Sequence, residues 1–147
     1  MFKTETRYAL HAVTVLARSE GLVPNAALAE QLSLSLPMVA KILNRLVQAG
    51  LVASRPGPGG GYALARPGGD IHLGEVVAPT EGEDWGHGCL MGLPECDDDN
   101  PCAMHAAWLK LRTRILSMLH ERTVADMAAG TVDIDLRVEG PHDLPQA

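Results

Sequence analysis

The sequence predicts a mainly α-helical fold, and three observations lead to this prediction. Aromatic residues make up only 3% of the chain while hydrophobic residues reach 46%, so the core must be built from Leu, Val, Ala, Ile and Met. This mixture favours helices over a β-barrel or sandwich. Apolar residues recur at three- and four-residue spacing in several segments, as on the buried face of a helix. The length of 147 residues suits one ordinary domain with an appendage.

Three helices are predicted in the first 50 residues. The first covers 5–18, where apolar side chains recur at helical spacing. Asn25 is placed to cap a short second helix over 26–32, and Ser35 is placed to cap a third helix that ends at Gly50. Only a short turn separates the second helix from the third.

The third helix has a polar and basic face opposite its apolar stripe. That face carries Lys41, Asn44, Arg45 and Gln48. Two helices joined by a short turn, the second with such a face, form a helix-turn-helix, which places a recognition helix in the major groove of DNA. Many helical domains share this pattern, so its identification as a DNA-binding motif depends on the segment that follows.

Two strand-like segments, 51–54 and 62–65, flank a loop rich in glycine and proline. Such a loop reverses the chain, so the pair is predicted to form a β-hairpin, and a helix-turn-helix followed by a hairpin is a winged helix. Gly59 and Gly60 permit close approach to a sugar–phosphate backbone, where Arg55 can pair with a phosphate. The alternative is a surface hairpin whose glycines serve only the turn.

The rear half predicts an aperiodic loop and then a long helix that Asn100 caps, with Pro101 at its first position, and that runs to about Arg122. The helix would be about 30 Å long, and a small winged helix cannot cover so long an apolar stripe, which favours pairing with a second copy. Intramolecular packing is the alternative. The predicted segments are a winged-helix DNA-binding domain (1–78), a cysteine-bearing loop (79–100), a dimerisation helix with a short following helix (101–130) and a flexible tail (131–147).

Charge is distributed unevenly along the chain. The net charge is −6, but residues 1–70 carry seven Lys or Arg against four Asp or Glu, while residues 71–147 carry five against fourteen. The mildly basic front half therefore permits nucleic-acid binding by that half alone. No apolar run is long enough to span a bilayer and the start lacks the order of a secretory signal, so we expect a cytoplasmic protein without a membrane partner.

Three cysteines and a histidine follow the wing with the spacing C-x6-C-x5-C-x2-H. They are Cys89, Cys96, Cys102 and His105. Thiolates bind iron–sulfur clusters and zinc, and an imidazole can be the fourth ligand of either. Zinc ligands usually pair at two to four residues, and both cysteine gaps here are longer. The spacing leaves a cluster and a structural zinc both open, with a thiol redox switch as a third possibility.

The sequence contains no Ser-His-Asp order, phosphate-binding loop or HExxH motif, so we predict that the chain is not an enzyme. A regulator that binds DNA therefore competes with a metal-binding assembly module that never contacts DNA. Binding to duplex DNA that weakens steeply with salt would separate the two classes.

Together these features resemble the winged-helix transcription regulators of the IscR/NsrR iron–sulfur sensor group, over about residues 1–130. The resemblance is carried by the opening 7–10, the end of the third helix and its continuation at 43–52, the wing at 57–62, and three cysteines before a long helix. It implies a homodimer that binds pseudo-palindromic sites in double-stranded DNA, here expected to act as a repressor. It also implies an iron–sulfur cluster, 2Fe–2S rather than 4Fe–4S, that senses iron–sulfur, redox or nitric oxide status and gates operator affinity.

The resemblance also implies which residues hold the cluster. Cys89, Cys96 and Cys102 match the cluster cysteines, and His105 matches the fourth ligand of one branch, with His11 as the second candidate. Arg7 stands where another branch has a ligating aspartate, and arginine cannot take that role. The residues expected near DNA are Ser35, Lys41, Asn44, Arg45, Arg55, Gly59 and Gly60.

Overall fold

The structure is a computed structural model that describes residues 2–82, 85–94, 96 and 98–130. The elements in chain order are α1 (Thr4–Arg18), α2 (Asn25–Leu32), α3 (Leu36–Gln48), β1 (Val52–Arg55), β2 (Gly61–Leu64), a short 3-10 helix (Gly68–Asp70), α4 (Leu73–Glu81), α5 (His105–Glu121) and α6 (Val124–Ala129). The predicted tail, 131–147, lies outside the described residues. The mainly α-helical winged-helix architecture predicted from the sequence is confirmed.

The hydrophobic core lies between α1, α2, α3 and α4. Its fully buried side chains include Val13 from α1, Leu28 from α2, Ile42 and Leu43 from α3, and Val76 from α4. Each of these aliphatic side chains contributes about 1.5–3 kcal/mol through its removal from water. The spacing that predicted the helices is therefore the spacing of the core contacts, and the opposite face of α3 stays in solvent.

The turn between α2 and α3 gives the pair its helix-turn-helix geometry. Ser33 ends α2 in the left-handed conformation, with φ 53°, and the Ser35 side chain accepts a hydrogen bond from the Met38 amide to cap α3. The axes of the two helices differ by 108° across this three-residue turn, an angle typical of the motif. Asn25, predicted as a cap, is instead the first residue of α2.

The hairpin is an antiparallel pair in which Val52 lies opposite Leu64 and Arg55 lies opposite Gly61. Both strands are displaced by one residue from the predicted segments, so Arg55 ends β1 instead of opening the loop. A side chain at Gly60 would meet the Arg55 carbonyl oxygen at 2.1 Å, and one at Gly61 would meet that of Val23 at 2.4 Å. These two glycines are therefore required by contacts within the chain itself.

The rear helices differ from their predicted extents. α4 continues to Glu81, so the cysteine-bearing loop begins at Gly82. The long helix begins at His105 and not at Pro101 after an Asn100 cap, because residues 102–105 form a turn in which the His105 amide donates to the Cys102 carbonyl. Among the described residues no single helix is long and apolar enough to cross a membrane, and only the bent pair α2 and α3 reaches that limit jointly.

Candidate metal centre and nucleic-acid interface

The loop between α4 and α5 brings the predicted metal ligands close together. All three cysteines are unpaired and half-buried. The Cys96 Sγ lies 3.4 Å from Nδ1 of His105, and the Cys102 and Cys96 side chains are near enough to Cys89 to lower the pKa of its thiol. The loop therefore brings Cys96 against His105 with the other two cysteines nearby, and the role of all four as ligands stays a prediction.

Cys89 lies where backbone amides favour its thiolate. Hydrogen bonds from the Leu93 and Met91 amides hold the pKa of the Cys89 thiol below its usual value, and contacts with the two other thiols act in the same direction against partial burial. The thiolate is the form that binds metals. The backbone around Cys89 thus favours the thiolate form of this sulfur.

His105 is the first residue of α5 and is 8% exposed. Its Nε2 lies 2.7 Å from Oδ1 of Asp98, while Nδ1 faces the Cys96 sulfur. A carboxylate on one ring nitrogen places the proton there and leaves the lone pair on the other, which is the usual arrangement around a ligating histidine. Asp98 was not predicted as part of the site, although it belongs to the acidic run visible beside Cys96.

The donor set fits an iron–sulfur cluster in its chemistry, since three thiols and an imidazole are suitable ligands for one. Contacts join the donors in pairs, but in the described part of the chain no three His, Cys, Asp or Glu side chains are arranged to hold one metal ion.

His11, the second candidate for the fourth ligand, lies on an exposed face of α1. Within the described residues it forms no hydrogen bond with any of the cysteines, whereas His105 contacts Cys96 directly. The geometry in a single chain therefore favours His105 over His11.

The exposed face of α3 carries the basic residues predicted to meet DNA, but they are not isolated. Lys41 Nζ lies 2.6 Å from Oε1 of Glu5, and Arg45 Nη1 lies 2.5 Å from Oε2 of the same residue. The hydrogen bond from Lys41 is the largest cause that lowers the pKa of the Glu5 carboxyl, and Arg45 adds to it against partial burial. Asn44 is exposed between them.

Glu5 was not predicted to contact the basic face of α3. It lies 36 and 40 residues from its partners, a separation at which no local pattern reveals a contact.

The wing presents Arg55 in solvent at the end of β1. Gly59 is also exposed and has φ +71°, with no neighbouring atom within 4 Å of a side chain placed there. Gly60 faces the hairpin backbone and is only half-exposed. Ser35 uses its hydroxyl to cap α3. Of the predicted DNA-contacting residues outside α3, Ser35, Arg55 and Gly59 are thus exposed and Gly60 is half-exposed.

Comparison with known proteins agrees with this architecture. The family model described as "Rrf2: Iron-dependent Transcriptional regulator" matches residues 2–130. The HTH-type transcriptional regulator IscR of Salmonella paratyphi B is 32% identical over 144 residues, which cover 96% of this chain and 87% of that protein.

Solved structures of regulators superpose on most of the chain. CymR, the global cysteine regulator of B. subtilis, has a TM-score of 0.74 at 26% identity and covers 88% of this chain and 97% of its own. IscR of T. potens has a TM-score of 0.71 at 30% identity and covers 89% and 88%. The family and these relatives are transcriptional regulators and not enzymes. The chain belongs to the Rrf2 family of transcriptional regulators.

Proposed function

We propose that this chain is a homodimeric repressor whose affinity for operator DNA is gated by an iron–sulfur cluster. The cluster ligands would be Cys89, Cys96, Cys102 and His105. The single observation that carries the proposal is the contact between Cys96, in the loop that joins the winged-helix half to α5, and His105 at the start of α5. The description of the family as iron-dependent and the similarity to IscR support the same cofactor.

DNA binding would use α3 and the wing, in the geometry of other helix-turn-helix proteins. Lys41, Asn44 and Arg45 lie on the outer face of α3, and Arg55 with Gly59 lies on the wing. A recognition helix enters the major groove while flanking elements contact the backbone, so α3 would read base edges and the wing would bind phosphate. Because the front half is mildly basic and the rear half acidic, the charge distribution favours DNA binding by the front half, to which this surface belongs.

Dimerisation would use the apolar side chains that α5 leaves uncovered. Leu111 is 55% exposed and Met104 is 43% exposed, while Trp108 and Ile115 are only half-buried. The helix has 17 residues, about 25 Å in length, and only His105 and Leu119 are buried within it. An apolar face of this kind on a regulator that reads pseudo-palindromic sites is best covered by a second copy across a two-fold axis.

Gating follows from how the loop is fastened to both halves of the molecule. The Trp108 indole donates to the Gly88 carbonyl at 2.9 Å, and Arg112 donates to the His87 carbonyl at 3.1 Å, so α5 holds the middle of the loop. At the other end, Trp85 packs against Phe2, with 5.5 Å between the ring centroids. The loop therefore bridges the start of α1 and the length of α5.

When bound, the cluster would supply an iron centre that iron limitation, oxidation or nitric oxide can alter or remove. Ligation by the four side chains would fix the loop and with it the contacts of Trp85 and Trp108. If the loop were released, those contacts would weaken and the spacing of the two recognition helices in a dimer would change. A regulator whose two half-site contacts must match one DNA spacing then loses or gains affinity.

The test of the cofactor is anaerobic purification followed by visible absorption and by iron, acid-labile sulfide and zinc assays on the same sample. We expect visible charge-transfer bands with iron and sulfide in equal amounts, and we expect Cys96→Ala to lose both. Ser117→Ala, on an exposed position of α5, is the matched control. A colourless protein with one zinc per chain would indicate a structural zinc site and contradict the sensing cluster. A metal-free protein that cannot be reconstituted would favour a thiol switch among the three neighbouring cysteines.

A further inference from the structure

The first turn of α1 places the Glu5 carboxylate against the exposed face of α3. Glu5 bridges Lys41 and Arg45, which lie one turn apart on α3, with one oxygen on each cation at 2.6 and 2.5 Å. The two cations that a DNA-binding face would offer to phosphate or to guanine are thus already neutralised in part by an anion from the same chain.

The bridge is open to solvent and therefore exchangeable. The side chains of Lys41, Arg45 and Glu5 are 53%, 38% and 26% exposed. Ion pairs at such exposure are weak and screened by salt, so a DNA phosphate can replace the carboxylate at modest cost. Neither cation is locked away, but each must give up one anion to bind another.

The first turn of α1, which carries Glu5, is hydrogen-bonded to the end of α4. The Lys3 amide and the Thr6 hydroxyl both donate to Oε1 of Glu81 at 2.6 Å, and the Thr6 and Thr80 hydroxyls share a buried hydrogen bond of 2.8 Å. Lys3 Nζ also donates to the Glu81 carbonyl. These bonds anchor the first turn of α1 to the last residues of α4. The turn of α1 that carries Glu5 is therefore anchored independently of Lys41 and Arg45.

We propose that Glu5 is a positioning residue for DNA recognition, an internal anion that competes with phosphate for Lys41 and Arg45. Its competition lowers the affinity for arbitrary duplexes, where each cation only exchanges one anion for another. Its two oxygens also hold both cations in one orientation, which benefits a site whose bases or phosphates match that orientation. Glu5 thus raises the ratio of operator to non-operator affinity. The proposal rests on the DNA interface proposed above.

The test compares Glu5→Gln with Glu20→Gln, which makes the same charge change at an exposed position beyond the end of α1. Each full-length, cofactor-loaded protein is titrated into a random duplex and into an operator selected with the wild type, over a series of salt concentrations. For Glu5→Gln we expect about fivefold tighter binding to the random duplex at low salt. We also expect a plot of log affinity against log salt that is steeper by about 1 and a reduced operator preference. Glu20→Gln should match the wild type.

A double-mutant cycle shows whether Glu5 acts through the two cations. In a Lys41→Gln, Arg45→Gln background, Glu5→Gln should change neither the salt dependence nor the random-duplex affinity, because the carboxylate has no cation left to occupy. An effect of the same size in that background contradicts the proposal.

Other outcomes separate this inference from the proposed function. If the wild type binds its operator and Glu5→Gln behaves as Glu20→Gln does, the proposed role of Glu5 is wrong. The proposal of a DNA-binding regulator is then unaffected. If the wild type binds no duplex at any salt concentration, the DNA interface and the role of Glu5 both fall.

Discussion

The winged-helix half and the cysteine-bearing loop are held in place by different kinds of interaction. The winged helix has a core of fully buried aliphatic side chains, such as Leu28, Ile42 and Leu43. The loop has Leu90, Met91 and Leu93 about half-exposed or more, and the contacts of its described residues include hydrogen bonds to Trp108 and Arg112 of α5 and a ring contact between Trp85 and Phe2. The first region can fold by burial alone, whereas these three apolar side chains of the second bury little surface.

This difference assigns the two regions separate tasks. A segment with little buried apolar surface opens at low free-energy cost, which is the property that switching elements need. A core of interdigitated side chains resists continuous deformation and passes movement on as a rigid body. The loop is thus suited to respond to a cofactor, and the winged helix is suited to carry that response to DNA.

Truncation of a core side chain should have the largest effect on stability. Leu43→Ala should lower the free energy of unfolding by about 2–5 kcal/mol, because it leaves a cavity at a fully buried position. Leu90→Ala, at a half-exposed position of the loop, should change it by less than about 0.5 kcal/mol. Chemical denaturation followed by circular dichroism measures both. Equal losses would mean that the loop belongs to the same cooperative core.

Removal of a carboxylate from the loop should have an intermediate effect, on cofactor affinity. Asp98→Ala removes the carboxylate that orients His105, and we expect a loss of cofactor affinity of about tenfold or more with little change in the unfolding of the cofactor-free protein. Chelator competition followed by visible absorption measures the affinity, with Asn100→Ala, also exposed in the loop, as control. Unchanged affinity would remove Asp98 from the site.

The smallest effect concerns α6, which begins with a capping box. Hydrogen bonds from the Thr123 amide and hydroxyl hold the pKa of the Asp126 carboxyl below its usual value. A carboxyl whose folded pKa is depressed stabilises the fold above its unfolded pKa and loses that contribution as pH falls through the folded value. Melting temperatures across acidic pH should therefore fall more steeply for the wild type than for Asp126→Asn. Parallel curves would contradict the capping role.

The same contrast explains how much the sequence could reveal. α1, α2, α3 and the hairpin were predicted to within one or two residues, because periodicity, caps and the glycine-rich turn are local signals. The start of α5 was misplaced by several residues, since Asn100 and Pro101 imitate a helix start that the turn before His105 overrides. The contacts of Glu5 with α3 and of Asp98 with His105 were not predicted. The contacts of Glu5 are formed only by the folded chain, and Asp98 looked like one charge in an acidic run.

We propose that the state of the loop sets the affinity for DNA, and the operator affinity of one sample with and without its cofactor shows whether it does. An operator is selected from random duplexes with anaerobically purified, cofactor-loaded protein, and its affinity is then measured at fixed salt concentration before and after the cofactor is removed from the same sample. We predict a change of tenfold or more, which corresponds to about 1.4 kcal/mol of coupling, and we predict no such change for Cys96→Ala. Equal affinities in the two states, with DNA binding intact, would contradict the claim and leave a regulator whose cysteine-bearing loop serves only its structure.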